Sequence, residues 1–82
     1  MTISGKVENT GFRFYALRGA SIFGIRGSVL IKNGQAIVEA EGEDEKLKDF
    51  EEWCRTGSES SSIASVVCNN REIIGYEDFK IL

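Results

Sequence analysis

Asn33-Gly34 stands between two runs of strand-forming residues, Ser28–Lys32 and Gln35–Glu41. Both residues of the pair tolerate a positive φ, so they predict a tight mirror-type turn and an antiparallel hairpin. A hairpin at the centre of a short chain constrains both flanks, because each must supply a partner strand or a cover for it. Each flank carries one amphipathic helix signal. On the N-terminal side, Phe12, Ala16, Ala20 and Phe23 recur at three- and four-residue steps and Leu17 widens the stripe, which predicts a helix over 12–23. Asn9 or Thr10 would cap it, Gly24 would stop it in the left-handed region, and Gly19 weakens its middle by about 1 kcal/mol relative to alanine. On the C-terminal side, Leu47, Phe50 and Cys54 predict a helix over 43–55, with Trp53 beside the stripe. Glu43, Asp44 and Glu45 crowd its first turn, where the helix dipole favours acids, and Gly57 ends it.

The outer segments read as strands. Ile3, Gly5 and Val7 alternate with polar residues over 2–8, Ile63–Cys68 is a fourth strand, and Tyr76–Leu82 is a last one with Phe79 and Ile81 inward. Ser58–Ser62 reads as a loop, and Asn69-Asn70-Arg71 as an interruption or turn. In the second hairpin arm Ile37 and Glu39 share one side and Val38 and Ala40 the other, and the pattern leaves open which side faces the core. The order is βαββαβ with an additional C-terminal strand. Two helices on one face of an antiparallel sheet would bury both apolar stripes, and each half would make a right-handed crossing. The expected fold is therefore an α+β, ferredoxin-like sandwich. A length of 82 residues suits one domain, with one modest core.

The net charge of −3 argues against nucleic-acid binding. The charge is uneven, however: up to Ile37 the bases Lys6, Arg13, Arg18, Arg26 and Lys32 face a single acid, Glu8. A small anion near the N-terminal half fits that imbalance. Cys54 and Cys68 with no histidine make neither a disulfide framework nor a zinc set, and both are read as reduced. The acids from Glu39 to Glu45 lack the spacing of a calcium loop and read as a solvated face, so no metal and no cofactor is expected. No apolar run reaches the length of a membrane span, and the N-terminus lacks a signal-peptide pattern, so the expected location is cytoplasmic, away from membranes.

Gly5-Lys6-Val7-Glu8-Asn9-Thr10-Gly11-Phe12-Arg13 reads as a strand end, a tight loop and a helix start carrying an arginine, an arrangement that can hold a phosphate. It resembles the Gly-x-Val-Gln-Gly-Val-x-Phe-Arg pattern of the acylphosphatase family. Ala20, Gly24, Ile25 and Gly27 fall in the family's order, as do Gly34, Gly42, Phe50 with Trp53, and Ala64 with Val66. The likeness covers nearly all of 1–82 as a single acylphosphatase-like domain. It implies hydrolysis of small acyl phosphates, with Arg13 as the catalytic phosphate clamp. The N–H groups of Asn9, Thr10, Gly11, Phe12 and Arg13 would form the anion cradle, with Glu8 contributing only backbone. The resemblance also implies a water-positioning asparagine in the second strand. Counted from Gly27, that place holds Ile31, with Ser28 and Leu30 at the preceding tryptophan and arginine places. Isoleucine cannot orient water, so the implied activity is weak or lost.

Other readings stand beside these. Arg13 could be a surface arginine paired with Glu8 or a C-terminal acid, and Thr10 could cap the helix or donate to an anion. Glu8 most simply faces solvent. Asn9, Thr10, Ser28 and Asn33 are the remaining candidates for holding a water. Phe12, Phe14, Tyr15 and Phe23 read mainly as core, with Tyr15 at its margin. The alternative function is a non-catalytic domain that binds phosphate, a carboxylate or another small anion, or that packs on a protein partner.

Overall fold

The computed structural model describes residues 1–57, 61–68 and 74–82. Along the chain lie β1 (Thr2–Lys6), α1 (Phe12–Phe23), β2 (Arg26–Lys32), β3 (Gln35–Glu41), α2 (Asp44–Thr56), β4 (Ser62–Val67) and β5 (Phe79–Ile81). The strands form one sheet in the order β4-β1-β3-β2-β5. β3 runs antiparallel to both β1 and β2, and β4 antiparallel to β1. β1 and β2 are therefore parallel, and their C-terminal ends lie at the same end of the sheet. This is the expected ferredoxin-like α+β sandwich.

At the hairpin Asn33 has φ 54° and Gly34 φ 74°, both positive, and Lys32 pairs directly with Gln35. The turn is the two-residue mirror type that the dipeptide predicts. Its register settles the faces. Val29 lies opposite Val38 and Ile31 opposite Ala36, and Val29, Ala36 and Val38 are fully buried beneath the helices. Because side chains alternate across a strand, Ile37, Glu39 and Glu41 take the other face.

Three expectations about the outer strands change. β1 ends at Lys6, because the Val7 N–H turns back to the Gly5 carbonyl at 3.1 Å. β4 ends one residue earlier than expected, which leaves Cys68 exposed. The last strand is only Phe79–Ile81, and it runs parallel to β2, so the sheet is mixed. Tyr76 lies outside it for a physical reason. The N–H groups of Ile74, Gly75 and Tyr76 donate to the Glu41 carboxylate at 2.6, 3.2 and 2.9 Å, so they are spent before any ladder can form. The Tyr76 hydroxyl donates to Glu39. Glu39 and Glu41 thus fasten the chain before β5 instead of forming a solvated face. Asn69–Arg71 and Ser58–Ser60 fall outside the described residues.

The helices meet through Trp53. Its Nε1–H donates to the Tyr15 carbonyl at 2.8 Å, and its ring stacks on Tyr15 with centroids 4.6 Å apart. Gly19 forms the seat: a Cβ there would stand 2.3 Å from the indole. The glycine that weakens α1 locally lets α2 approach it closely.

Candidate anion-binding site

The loop from Val7 to Arg13 is anchored at both ends by buried side chains, Val7 and Phe12, each 1% exposed. Between them the backbone twice enters the left-handed region, at Asn9 (φ 60°) and Gly11 (φ 75°). Asparagine tolerates that region better than other side chains, and glycine carries no Cβ to object. Gly11 is the N-cap of α1, and no side chain caps the helix. Neither Asn9 nor Thr10 takes the expected capping role. The Thr10 hydroxyl instead donates to the Val7 carbonyl at 2.6 Å and so closes the turn out of β1.

The first bond into α1 runs from the Tyr15 N–H to the Gly11 carbonyl at 3.0 Å. Earlier N–H groups precede the ladder. Among the described residues, those of Asn9, Gly11, Phe12 and Arg13 meet no backbone acceptor. They sit at the positive end of the helix dipole, where an anion is stabilised. The Arg13 side chain is exposed and in no ion pair among the described residues, whereas Arg55 pairs with Glu51 at 3.4 Å. The alternative pairing of Arg13 with Glu8 or a C-terminal acid is not found there. Glu8 is exposed, as its place at the strand end suggested.

Ile31 lies near the end of β2, on the helix-covered face, packed against the core. The parallel course of β1 and β2 brings it to the same end of the sheet as the loop. Val7, Phe12 and Ala36 belong to the same core cluster, and Ile31 packs against it. Of the remaining water-holding candidates, Asn9 and Thr10 lie in the loop itself, with the Thr10 hydroxyl given to Val7, while the other two lie apart from it. Ser28 is buried on the opposite face beside Glu39, and Asn33 is committed to the hairpin turn. Phe14 departs from the core expectation: it is 67% exposed, one residue beyond Arg13. Tyr15 and Phe23 are half-buried.

Neither cysteine is an activated thiol. Burial pushes the Cys54 thiol up to about 12. Cys68 is also raised, first by desolvation and then by its hydrogen bond to Glu51, 2.8 Å away. Both are free and stay protonated at neutral pH, so neither offers a thiolate nucleophile. The Glu41 carboxyl lies below its usual range. Desolvation pushes it up, but the bonds from Ile74, Tyr76 and Gly75 and the Arg26 charge outweigh that. Among the described residues no group of three or more His, Cys, Asp or Glu could hold a metal ion, and no helix is long and apolar enough to cross a membrane.

This small α+β sandwich, with its loop between the first strand and the first helix, matches known proteins along nearly its whole length. The acylphosphatase family profile matches residues 1–81. The acylphosphatase of Thermotoga petrophila is 30% identical over 80 residues, covering 96% of this chain and 89% of that protein. The crystal structure of acylphosphatase from Bacillus subtilis superposes with a TM-score of 0.92 at 28% identity, covering 99% of this chain and 92% of that one. An acylphosphatase structure from Coxiella burnetii gives a TM-score of 0.94 at 26% identity, covering 99% and 86%. The chain belongs to the acylphosphatase family.

Proposed function

We propose that this chain holds the phosphoryl group of small acyl phosphates in the loop from Asn9 to Arg13, and that its hydrolysis of them is weak or lost. The observation that carries the reading is the set of N–H groups at Asn9, Gly11, Phe12 and Arg13 that meet no backbone acceptor among the described residues, beside an arginine in no ion pair there. Family membership supplies the substrate class.

Hydrolysis of an acyl phosphate adds water across the anhydride and releases a carboxylate and phosphate. The guanidinium fork of Arg13 would take two phosphoryl oxygens and neutralise the charge that grows on them. The loop amides would fix the group in place. No protein nucleophile is needed, which agrees with the protonated thiols. What is missing is a polar side chain at the place in β2 counted for the water-positioning asparagine, which Ile31 occupies. The substrate would thus be held while the attacking water is left unaligned. The expected location remains the cytoplasm.

The test is hydrolysis of acetyl phosphate by the purified chain, its Arg13→Ala variant and its Ile31→Asn variant. Arg13→Ala should lower any protein-dependent kcat/KM by about 100-fold or more, and Ile31→Asn should raise kcat. A wild-type rate unchanged by Arg13→Ala would overturn the clamp assignment. Strong wild-type turnover that Ile31→Asn leaves unchanged would overturn the account of Ile31.

A further inference from the structure

A second site candidate lies at the other end of α1. Phe23, the last residue of that helix, and Asp49, Glu52, Trp53 and Thr56 of α2 line an open groove of about 450 Å³. The twelve residues of α1 separate it from the anion loop by about 18 Å. Its aromatic wall is held in place. Phe23 and Trp53 meet edge-on with centroids 6.0 Å apart, and Trp53 is fixed from behind by Tyr15 and Gly19. Among the described residues no basic side chain lines it.

The two carboxylates are uncommitted. Glu51, on a different side of α2, is engaged by Arg55 and Cys68. Asp49 and Glu52 are exposed, and among the described residues their carboxylates enter no ion pair and no hydrogen bond. Thr56 turns its hydroxyl to the Glu52 carbonyl at 3.0 Å and leaves the acids alone. Rigid rings next to two unpaired carboxylates complement a flat organic cation, which stacks on the rings and donates to the acids.

We propose that the Phe23–Trp53 groove receives an arginine side chain from a basic peptide segment of a partner protein. Guanidinium suits the lining better than ammonium, because its plane can lie on a ring while its fork reaches a carboxylate. The site is independent of the anion loop and of any turnover there.

Trp53 is the chain's one tryptophan, so its fluorescence reports on the groove directly. The experiment titrates acetyl-Gly-Arg-Arg-Gly amide into the protein, with lysine and glutamine versions of the peptide as comparisons. Wild type and Arg13→Ala should show the same saturable change. Asp49→Asn combined with Glu52→Gln should weaken it by about tenfold, the loss expected when two exposed charge pairs go together. Both replaced residues are exposed, and a thermal melt checks that the fold persists. No saturable change, equal affinity for the glutamine peptide, or undiminished binding by the double variant would each overturn the proposal. Equal affinity for the lysine peptide would overturn the choice of guanidinium.

Discussion

Replacing Gly19 with alanine should destabilise the protein, although the same change in the middle of an exposed helix would stabilise it. The added Cβ would lie 2.3, 2.4 and 2.8 Å from Cδ1, Nε1 and Cγ of Trp53. Carbon atoms in contact sit about 3.5–4.0 Å apart, so something must move. The ring is poorly placed to yield, being stacked on Tyr15 and bonded to its carbonyl at 2.8 Å. Overpacking of this kind costs about 1–3 kcal/mol, and losing the indole hydrogen bond costs about 1 kcal/mol more. Against this, alanine gains about 1 kcal/mol in helix propensity. The net expectation is a loss of about 1–3 kcal/mol. In a Trp53→Leu background the ring atoms are gone, the propensity term dominates, and the sign should reverse to a gain of up to about 1 kcal/mol. Urea denaturation followed by far-UV circular dichroism measures all four corners of the cycle. An equal effect of Gly19→Ala in both backgrounds would refute the reasoning.

Glu41 makes a pH-dependent contribution of definite sign. Its folded carboxyl ionises below the usual range, so its contribution is fully present above the unfolded carboxylate value and is lost as pH falls through the folded one. Glu41→Gln should lower stability near neutral pH and flatten the fall of the urea midpoint between about pH 7 and about pH 3; an unchanged profile would show that the bonds to Ile74–Tyr76 contribute nothing. The cysteines should separate in a native-state alkylation experiment read by mass spectrometry. Cys68 should be modified first, at a rate that climbs only above the ordinary thiol range, while Cys54 is protected until the chain unfolds; early modification of Cys54 would contradict its burial.

The parts of the fold legible in the sequence were those where one local signal had no rival. Asn33-Gly34 specified its turn, and the stripe from Phe12 to Phe23 marked α1 at both ends. The C-terminal strand was misjudged because Tyr76–Leu82 carries a strand-like pattern whose first part is claimed by two carboxylates far away in sequence. No local rule reports that Glu41 takes three backbone N–H groups, and nothing local sets β5 parallel to β2. The backbone of the proposed anion loop was legible in outline, since the two residues that take a positive φ, Asn9 and Gly11, lie close together in the chain. Its capping was not, because Thr10 has two acceptable partners and the turn settles which one it takes. The groove beside Trp53 gave only a faint trace, a tryptophan next to an apolar stripe with Gly19 one helix away.

A phosphate titration followed by 1H–15N NMR addresses the central functional claim most directly, because it separates holding the phosphoryl group from turning it over. The account predicts saturable shifts concentrated at the amides of Asn9, Gly11, Phe12 and Arg13, and their disappearance in Arg13→Ala. Amides in that loop that stay in place at saturating phosphate, or shifts that survive the loss of the guanidinium, would contradict it.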